Sequence, residues 1–286
     1  MARPRWTRKE SKTTGEFHAA RFSEERNGSC WEVVQFHPAY AYDDFVRGIQ
    51  AETENGNISY KVVSRVLDRL IEHHRDNATT VLIIDEINRA NLAQVLGELI
   101  YALEYRESPV QTPYEIEIDR DGKTVKKGTL TIPRNGFYII GTMNTADRSI
   151  GRIDYAVRRR FAFLQLDPKR EVIDLQKNVR EADKRWAADL FEKVGTLFRS
   201  AAGEDRGFLA PEFHRDDVQV GHTYFLGSRS DVKIKFAYQV CPLLREYYKD
   251  GVLLAENGKI EFTLLGGDTL DLAQPIEPEN LLSKLD

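Results

Sequence analysis

Short apolar runs predict buried strands in the first half of the chain. Residues 79–84 are β-branched or aliphatic throughout, which is typical of a strand that is buried on both faces. Further runs predict strands at residues 31–36, 137–140 and 161–166. Because helical stretches separate these strands, the pattern predicts an α/β fold whose main sheet is parallel.

Apolar residues at helical spacing predict the connecting elements. One helix is predicted from Ser59, as its N-cap, to about residue 75, and another over about residues 91–105. Alternating strands at residues 114–118 and 129–132, joined by a turn with an Asp-Gly step, predict a β-hairpin. This hairpin is an insertion in the α/β pattern.

The pattern divides the chain into three parts. Residues 1–31 are polar without sustained periodicity and are predicted to form a poorly ordered or loosely docked arm. Residues 32–167 carry the predicted α/β core. Residues 168–286 are predicted to form a smaller, mainly helical lid and C-terminal segment. Helices are predicted at about 169–180, 183–201 and 232–249, and a short strand pair near 252–264.

Composition and charge narrow the class of protein. The 286 residues are 41% hydrophobic and 30% charged, with a formal net charge of −4, which argues against bulk electrostatic binding of nucleic acid. The longest apolar runs are strand-sized, so we expect no membrane span. Cys30 and Cys241 lie far apart and form no CxxC pair, so we expect a reducing, cytoplasmic setting.

Two acidic residues, Asp85 and Glu86, follow the most apolar predicted strand. Ligands of open α/β sheets bind at the carboxyl ends of strands. There one carboxylate can hold a Mg²⁺ shell and the other can polarise a water for attack on a phosphate. An acidic pair in this position can equally cap the next helix or face solvent, and the pattern by itself favours neither interpretation.

A second predicted strand ends near Asn144, in a loop rich in hydroxyl and charged side chains. The amide could hydrogen-bond a water or a γ-phosphate, although asparagine is also an ordinary turn residue. A short helix predicted near residues 153–157 then leads into Arg158, Arg159 and Arg160. These arginines could neutralise phosphate charge in a neighbouring subunit, or they could only complement the dipole of the helix end.

Three longer motifs contain these residues: VLIIDEINRAN at 81–91, GTMNTADRS at 141–149 and DYAVRRRF at 154–161. With VQFHPAYAYDDF at 34–45 and VGHTYF at 220–225, they resemble the AAA+ motor of the McrB-type GTPases, which drive modified-cytosine restriction systems. The resemblance spans residues 33 to about 249. It implies a P-loop-NTPase-like α/β sheet with flanking helices and a β-hairpin insertion, followed by a helical lid.

The resemblance assigns roles at the ends of two strands. Asp85 corresponds to the Walker B carboxylate that supports Mg²⁺, and Glu86 to the residue that activates or positions the hydrolytic water. Asn144 corresponds to sensor 1. Asp147 and Arg148 belong to the signature loop that, in that family, orients the water in the GTP site and responds to the endonuclease partner.

The resemblance also implies a wider assembly. Arg159 and Arg160 match the positions of arginines that complete a neighbour's site, and either could be the trans arginine. Gly221 and His222 are expected near the hinge of the nucleotide pocket. The implied cofactor is Mg²⁺, the implied substrate is GTP or ATP, and the implied partners are further copies in a hexameric ring and an McrC-like endonuclease subunit, through which the complex reaches DNA.

One feature of the family is missing from the sequence. No GxxxxGK[ST] P-loop, whose backbone N–H groups and lysine cradle phosphates, occurs in it. The Gly-Lys-Thr at 122–124 lies in the predicted hairpin turn and has Glu117 where the first glycine should be. We expect that the chain begins downstream of the P-loop or that the loop has degenerated, and that hydrolysis by this chain alone is negligible. Two functions stay open: an NTPase module, or a nucleotide-inactive assembly subunit that contributes trans arginines.

Overall fold

The computed structural model describes residues 21–26, 29–54, 56–75, 78–120, 123–144, 153–199, 207–255 and 257–285. The chain divides into two compact units, Met1–Ala162 and Phe163–Asp286. The strands of the first unit are β1 (Arg21–Arg26), β2 (Ser29–Gln35), β3 (Arg47–Glu54), β4 (Asn57–Ser64), β5 (Thr80–Asp85), β6 (Val110–Arg120), β7 (Lys123–Leu130) and β8 (Phe137–Gly141). Its helices are α1 (Tyr42–Phe45), α2 (Val66–His73), α3 (Leu92–Leu96), α4 (Leu99–Glu104) and α5 (Tyr155–Arg158), with a 3₁₀ turn at Ile87–Arg89.

The main sheet has the strand order β1-β2-β5-β8. β1 runs antiparallel to β2, whereas β2, β5 and β8 are parallel to one another. In this register Val34 lies beside Ile84, and Ile84 lies beside Gly141. The carboxyl ends of the three parallel strands therefore meet at the same end of the sheet.

The core of the first unit joins one face of this sheet to the helices. Leu82, Ile84 and Phe137 project from the sheet and are at most 1% exposed, and they share a cluster with the fully buried Val95 of α3 and Leu99 of α4. Burial of such a side chain contributes about 1.5–3 kcal/mol, so these contacts hold the helices on the sheet. The predicted α/β fold with flanking helices is confirmed.

Two β-hairpins extend from this core. The predicted hairpin insertion is confirmed by β6 and β7, which pair as far as Arg120 and Lys123. The other hairpin, β3 with β4, occupies the region where a helix was predicted to start at Ser59, so that prediction is wrong. Ile58, Tyr60 and Val62 alternate along β4 and share one face of the hairpin, and the helical pattern applies only from Val66 onward.

Two further elements differ from the predictions. The helix predicted over residues 91–105 is divided into α3 and α4 by Gly97, whose φ of 50° ends α3. The strand predicted at residues 161–166 is not formed, because no described strand pairs with this segment. Leu164 and Leu166 are 87% and 93% exposed there. An apolar run becomes a strand only where its backbone groups find hydrogen-bond partners.

The hydrophobic pattern does not reveal β1. This strand lies within the polar stretch predicted as an arm, and it pairs with β2 from Arg21 opposite Glu32 to Arg26 opposite Ser29. The rest of that stretch, residues 1–20 and 27–28, lies outside the described residues.

The second unit, which begins at Phe163, is mainly helical. Its helices are α6 (Arg170–Asp174), α7 (Glu181–Gly195), α8 (Arg215–Val218), α9 (Arg229–Lys235), α10 (Cys241–Lys249) and α11 (Pro278–Lys284), with a π-helical segment at Phe236–Val240 and 3₁₀ turns at Thr196–Phe198 and His222–Phe225. The strands β9 (Glu261–Thr263) and β10 (Thr269–Asp271) form a short antiparallel pair, slightly later than the pair predicted near 252–264. Among the helices that the structure describes, none has the length and apolar character needed to cross a membrane.

Candidate functional site

Thr142 connects the carboxyl ends of β5 and β8. Its backbone N–H donates to the carbonyl of Ile84 at 2.9 Å, and its own carbonyl accepts from the N–H of Ile87 at 2.9 Å. The Thr142 hydroxyl donates to Oδ1 of Asp85 at 2.6 Å. The N–H of Glu86 donates to the same hydroxyl oxygen at 3.4 Å. Thr142 therefore fixes both acidic residues relative to β8.

Glu86 has a backbone conformation that residues with a side chain rarely adopt. Its φ of 54° and ψ of 45° lie in the left-handed region, which costs on the order of 1–3 kcal/mol and is concentrated at functional sites. Its side chain is 24% exposed, and Oε2 lies 3.2 Å from Nε of Arg89. The 3₁₀ turn at Ile87–Arg89, which follows Glu86, packs tightly against β8. A Cβ added to Gly141 of β8 would lie only 2.7 Å from Cδ1 of Ile87, so the close approach requires glycine there.

Asn144 lies beside the same turn. The Asn88 side chain donates from Nδ2 to the carbonyl oxygen of Asn144 at 3.3 Å, and Asn144 is exposed. The structure thus brings Asp85, Glu86 and Asn144 together where β5 and β8 end. Of the other residues predicted here, Asp147 and Arg148 lie outside the described residues.

The side chains at this end of the sheet suit a Mg²⁺ ion that binds together with a nucleotide. Magnesium prefers oxygen ligands and is usually held by one or two carboxylates together with waters and substrate phosphates. Asp85 supplies a half-buried carboxylate that Thr142 already orients, and Glu86 supplies a second carboxylate next to it. A Mg²⁺ ion bound to Asp85 would complete its shell with water and phosphate oxygens.

The structure distinguishes the two candidate trans arginines. Asp154 caps α5, since its Oδ1 accepts from the N–H of Ala156 at 2.6 Å, and Arg159 ends the helix in an exposed position. Arg160 is only 17% exposed. Its guanidinium donates to the Glu104 carboxylate and to the Ala156 carbonyl, so it is held within its own unit.

Gly221 and His222 belong to the second unit. His222 begins a 3₁₀ turn, and its Nδ1 accepts from the backbone N–H of Lys169 at 3.2 Å, a contact that orients the imidazole ring. The expected place of Gly221 and His222 near a nucleotide pocket stays a prediction.

Sequence reasoning missed Thr142 and Glu104 as residues of these sites. Each contacts a site residue far away in the sequence, 57 positions for Thr142 with Asp85 and 56 for Glu104 with Arg160. The signal available for Thr142 was its position directly after a strand that neighbours the one ending in Asp85. No comparable signal exists for Glu104, because the packing of α4 beside α5 is not visible in the sequence.

Two curated relatives align with the chain. The Type IV methyl-directed restriction enzyme EcoKMcrB subunit of Escherichia coli (strain K12) is 29% identical over 76% of this chain and 47% of its own length. The Type II restriction enzyme BsuMI component YdiS of Bacillus subtilis (strain 168) is 28% identical over 50% of this chain and 51% of its own length. The chain therefore spans about half the length of the curated relatives it matches.

A solved structure and a family profile also match. The structure, from Cytophaga hutchinsonii, aligns over 89% of this chain and 76% of its own chain at 12% identity, and its TM-score of 0.28 is too low to bear on the fold. The profile of the AAA domain (dynein-related subfamily) matches residues 16–161, which is just over half of the chain. The chain therefore belongs to the AAA domain family, in its dynein-related subfamily, and the two curated relatives confirm its resemblance to the McrB-type proteins.

Proposed function

We propose that this chain is the AAA+ NTPase module of a modified-DNA restriction system. One observation carries the proposal: the Thr142 hydroxyl holds Asp85 at the carboxyl end of β5, with Glu86 next to it and Asn144 beside the same turn. Parallel α/β sheets bind their ligands at this end of the strands. The names of both relatives place them in restriction enzymes, which supports the proposal that this chain belongs to a restriction system.

In this proposal the substrate is GTP or ATP bound with Mg²⁺. Asp85 holds the Mg²⁺ shell, and the ion, when bound, offsets the negative charge of the phosphates. Glu86 polarises or positions the attacking water, and the Asn144 amide orients that water or a γ-phosphate oxygen. Asp147 and Arg148 of the signature loop are proposed to orient the water, and Gly221 with His222 to help bind the nucleotide.

The chain is further proposed to work in a hexameric ring of identical copies. Arg159 is the better candidate for the arginine that reaches the neighbouring nucleotide, because it is exposed at the end of α5 whereas Arg160 is held by Glu104. An arginine supplied in this way stabilises the charge that develops during phosphoryl transfer. The ring would drive an McrC-like endonuclease subunit and would reach DNA through it.

A second candidate function is that of a nucleotide-inactive assembly subunit. The absence of a GxxxxGK[ST] motif from the sequence favours it, because the P-loop is the main cradle for nucleotide phosphates. Such a subunit would keep the fold and would contribute Arg159 to an intact neighbour.

Hydrolysis of Mg²⁺-GTP and Mg²⁺-ATP by the purified protein distinguishes the two functions, and measurable turnover would overturn the expectation that a sequence without the P-loop motif hydrolyses little by itself. If the chain is an NTPase, Glu86→Gln should lower kcat by about 100-fold or more, because the group that polarises the water is lost. The control Glu117→Gln, on the exposed face of the β6–β7 hairpin, should leave kcat unchanged. If the wild-type protein binds neither nucleotide, the NTPase function is wrong and the assembly subunit is the remaining candidate.

A further inference from the structure

A small cavity lies beside the end of α5, next to the two candidate trans arginines. It has a volume of about 300 Å³ and is lined by Leu103, Glu104, Arg159 and Arg160. Leu103 and Glu104 are the last two residues of α4. The cavity therefore lies where the carboxyl end of α4 meets the carboxyl end of α5.

Arg160 is held from two sides at this cavity. One of its terminal nitrogens, Nη2, donates to the Glu104 carboxylate, and the other, Nη1, donates to the carbonyl of Ala156 one helical turn back. The side chain of Arg160 is 17% exposed, whereas that of Glu104 is 47% exposed. The guanidinium is thus fixed between its own helix and an acidic residue of α4.

The helix that supplies Glu104 is firmly attached to the core. Leu99 and Ala102 of α4 are fully buried in the main cluster of the first unit. Glu104 is therefore presented from a rigid element, and its contact with Arg160 fixes where the chain leaves α5. Arg159, the residue before Arg160, is exposed beside this fixed point.

We infer that Glu104 is a positioning residue: by holding Arg160, it directs Arg159 outward toward the nucleotide of a neighbouring subunit. The inference rests on the proposed function of Arg159. Because the Glu104 carboxylate is 47% exposed, this ion pair adds little to folding stability, and we expect its main effect to be on the position of the α5 end. A displacement of about 1 Å at a reacting group can change a rate by about 100-fold.

The first test does not depend on activity. Phenylglyoxal modifies arginine guanidinium groups, and mass spectrometry reports the rate for each arginine. In the wild-type protein we expect Arg159 to be modified faster than Arg160. Glu104→Ala should raise the rate at Arg160 by about fivefold or more, because its carboxylate partner is lost. An unchanged rate at Arg160 overturns the inference.

The second test separates positioning from stability. Glu104→Ala should lower kcat for Mg²⁺-nucleotide hydrolysis by about tenfold while KM changes less than about twofold, because nucleotide binding does not involve Glu104. Glu104→Gln keeps a neutral acceptor for Arg160 and should restore part of kcat. The control Glu72→Ala removes an exposed carboxylate on α2 that lies 4.0 Å from Lys127, and it should leave kcat and the rate at Arg160 unchanged.

The two proposals can fail separately. If the wild-type protein hydrolyses nucleotide and Glu104→Ala frees Arg160 without lowering kcat, the positioning role is wrong and the NTPase function stands. If the wild-type protein hydrolyses nothing, the NTPase function is wrong, but an assembly subunit would still contribute Arg159 to a neighbour. The labelling then decides the positioning role, and an unchanged rate at Arg160 in Glu104→Ala overturns it.

Discussion

Arg47 and Asp68 form an ion pair that is completely buried in the first unit. Nε of Arg47 donates to Oδ2 of Asp68 at 2.7 Å, Nη2 donates to Oδ1 at 3.2 Å, and both side chains are 0% exposed. The Ser64 hydroxyl also donates to Asp68 at 2.7 Å. The remaining donors of Arg47 bind oxygens of the β6–β7 hairpin, at Thr112, Tyr114, Lys127 and Thr129. One guanidinium thus connects both hairpins to α2.

Removal of the Asp68 charge should destabilise the first unit strongly. Asp68→Asn leaves Arg47 charged and buried without a counterion, and breaking such a pair costs about 3–5 kcal/mol in the free energy of unfolding. Urea denaturation measures this loss. The matched control is Glu52→Gln, which breaks an exposed pair with Lys61 of the same 2.7 Å length and should cost less than about 1 kcal/mol. Equal losses in the two variants would contradict the role of burial.

The same ion pair shows why part of the fold was not predictable. A lone arginine at residue 47 and an aspartate on a predicted helix carry no sign that they pair across 21 positions. The β3–β4 hairpin was missed because the helical spacing of the apolar residues that follow was extended back to Ser59 as a plausible N-cap, although Ile58, Tyr60 and Val62 alternate as in a strand. The strand β5 and the β6–β7 hairpin were predicted correctly, because their signals are local: a continuous apolar run, and an Asp-Gly turn between alternating strands.

The candidate site was predictable to a similar degree. Asp85 and Asn144 were predicted as site residues because each follows a recognisable apolar run, and the structure brings the ends of these parallel strands together. The hydroxyl of Thr142 and the carboxylate of Glu104 were missed, since each acts through one contact between distant elements. The local hydrophobic pattern predicts where strands end. Which residues orient the side chains there is decided by packing between distant elements, which the pattern does not show.

Thr142→Val should weaken Mg²⁺ binding while leaving the fold intact. Valine has nearly the shape of threonine but lacks the hydroxyl that donates to Oδ1 of Asp85. Loss of a group that orients a metal ligand lowers metal affinity by about 10-fold or more. A titration of nucleotide hydrolysis with Mg²⁺ should show the half-maximal concentration rising by that factor. Thr142→Ser retains the hydroxyl and should behave as the wild type; a rise in this variant as well would assign the effect to packing.

Stability should fall at alkaline pH because of a buried thiol in the second unit. Cys241 is 1% exposed, and burial raises its pKa from 9.0 to about 12. Above pH 9 the unfolded state therefore loses this proton while the folded state keeps it, so the free energy of unfolding decreases as pH rises toward 12. The slope for one such group is about 1.4 kcal/mol per pH unit.

The variant Cys241→Ala isolates this contribution. Its free energy of unfolding is expected to be lower at neutral pH, because a buried side chain is shortened, but to decrease less steeply between pH 9 and pH 11. Burial also raises the pKa values of Tyr40 and Tyr42, so both proteins keep a remaining alkaline slope. Parallel curves for the two proteins over this range would show that the Cys241 thiol does not contribute.

Two inactive variants should restore each other's activity if Arg159 acts on a neighbouring subunit. Glu86→Gln keeps Arg159, and Arg159→Ala keeps Glu86. In a head-to-tail ring, each site combines Glu86 of one copy with Arg159 of the next. Random mixing in equal amounts therefore creates intact sites at about one quarter of the interfaces, so hydrolysis should recover to about 25% of the wild-type rate.

The control mixture of Glu86→Gln with the double variant Glu86→Gln/Arg159→Ala contains no intact site and should stay inactive. If both single variants assemble and their mixture recovers nothing, Arg159 acts within its own subunit or not at all.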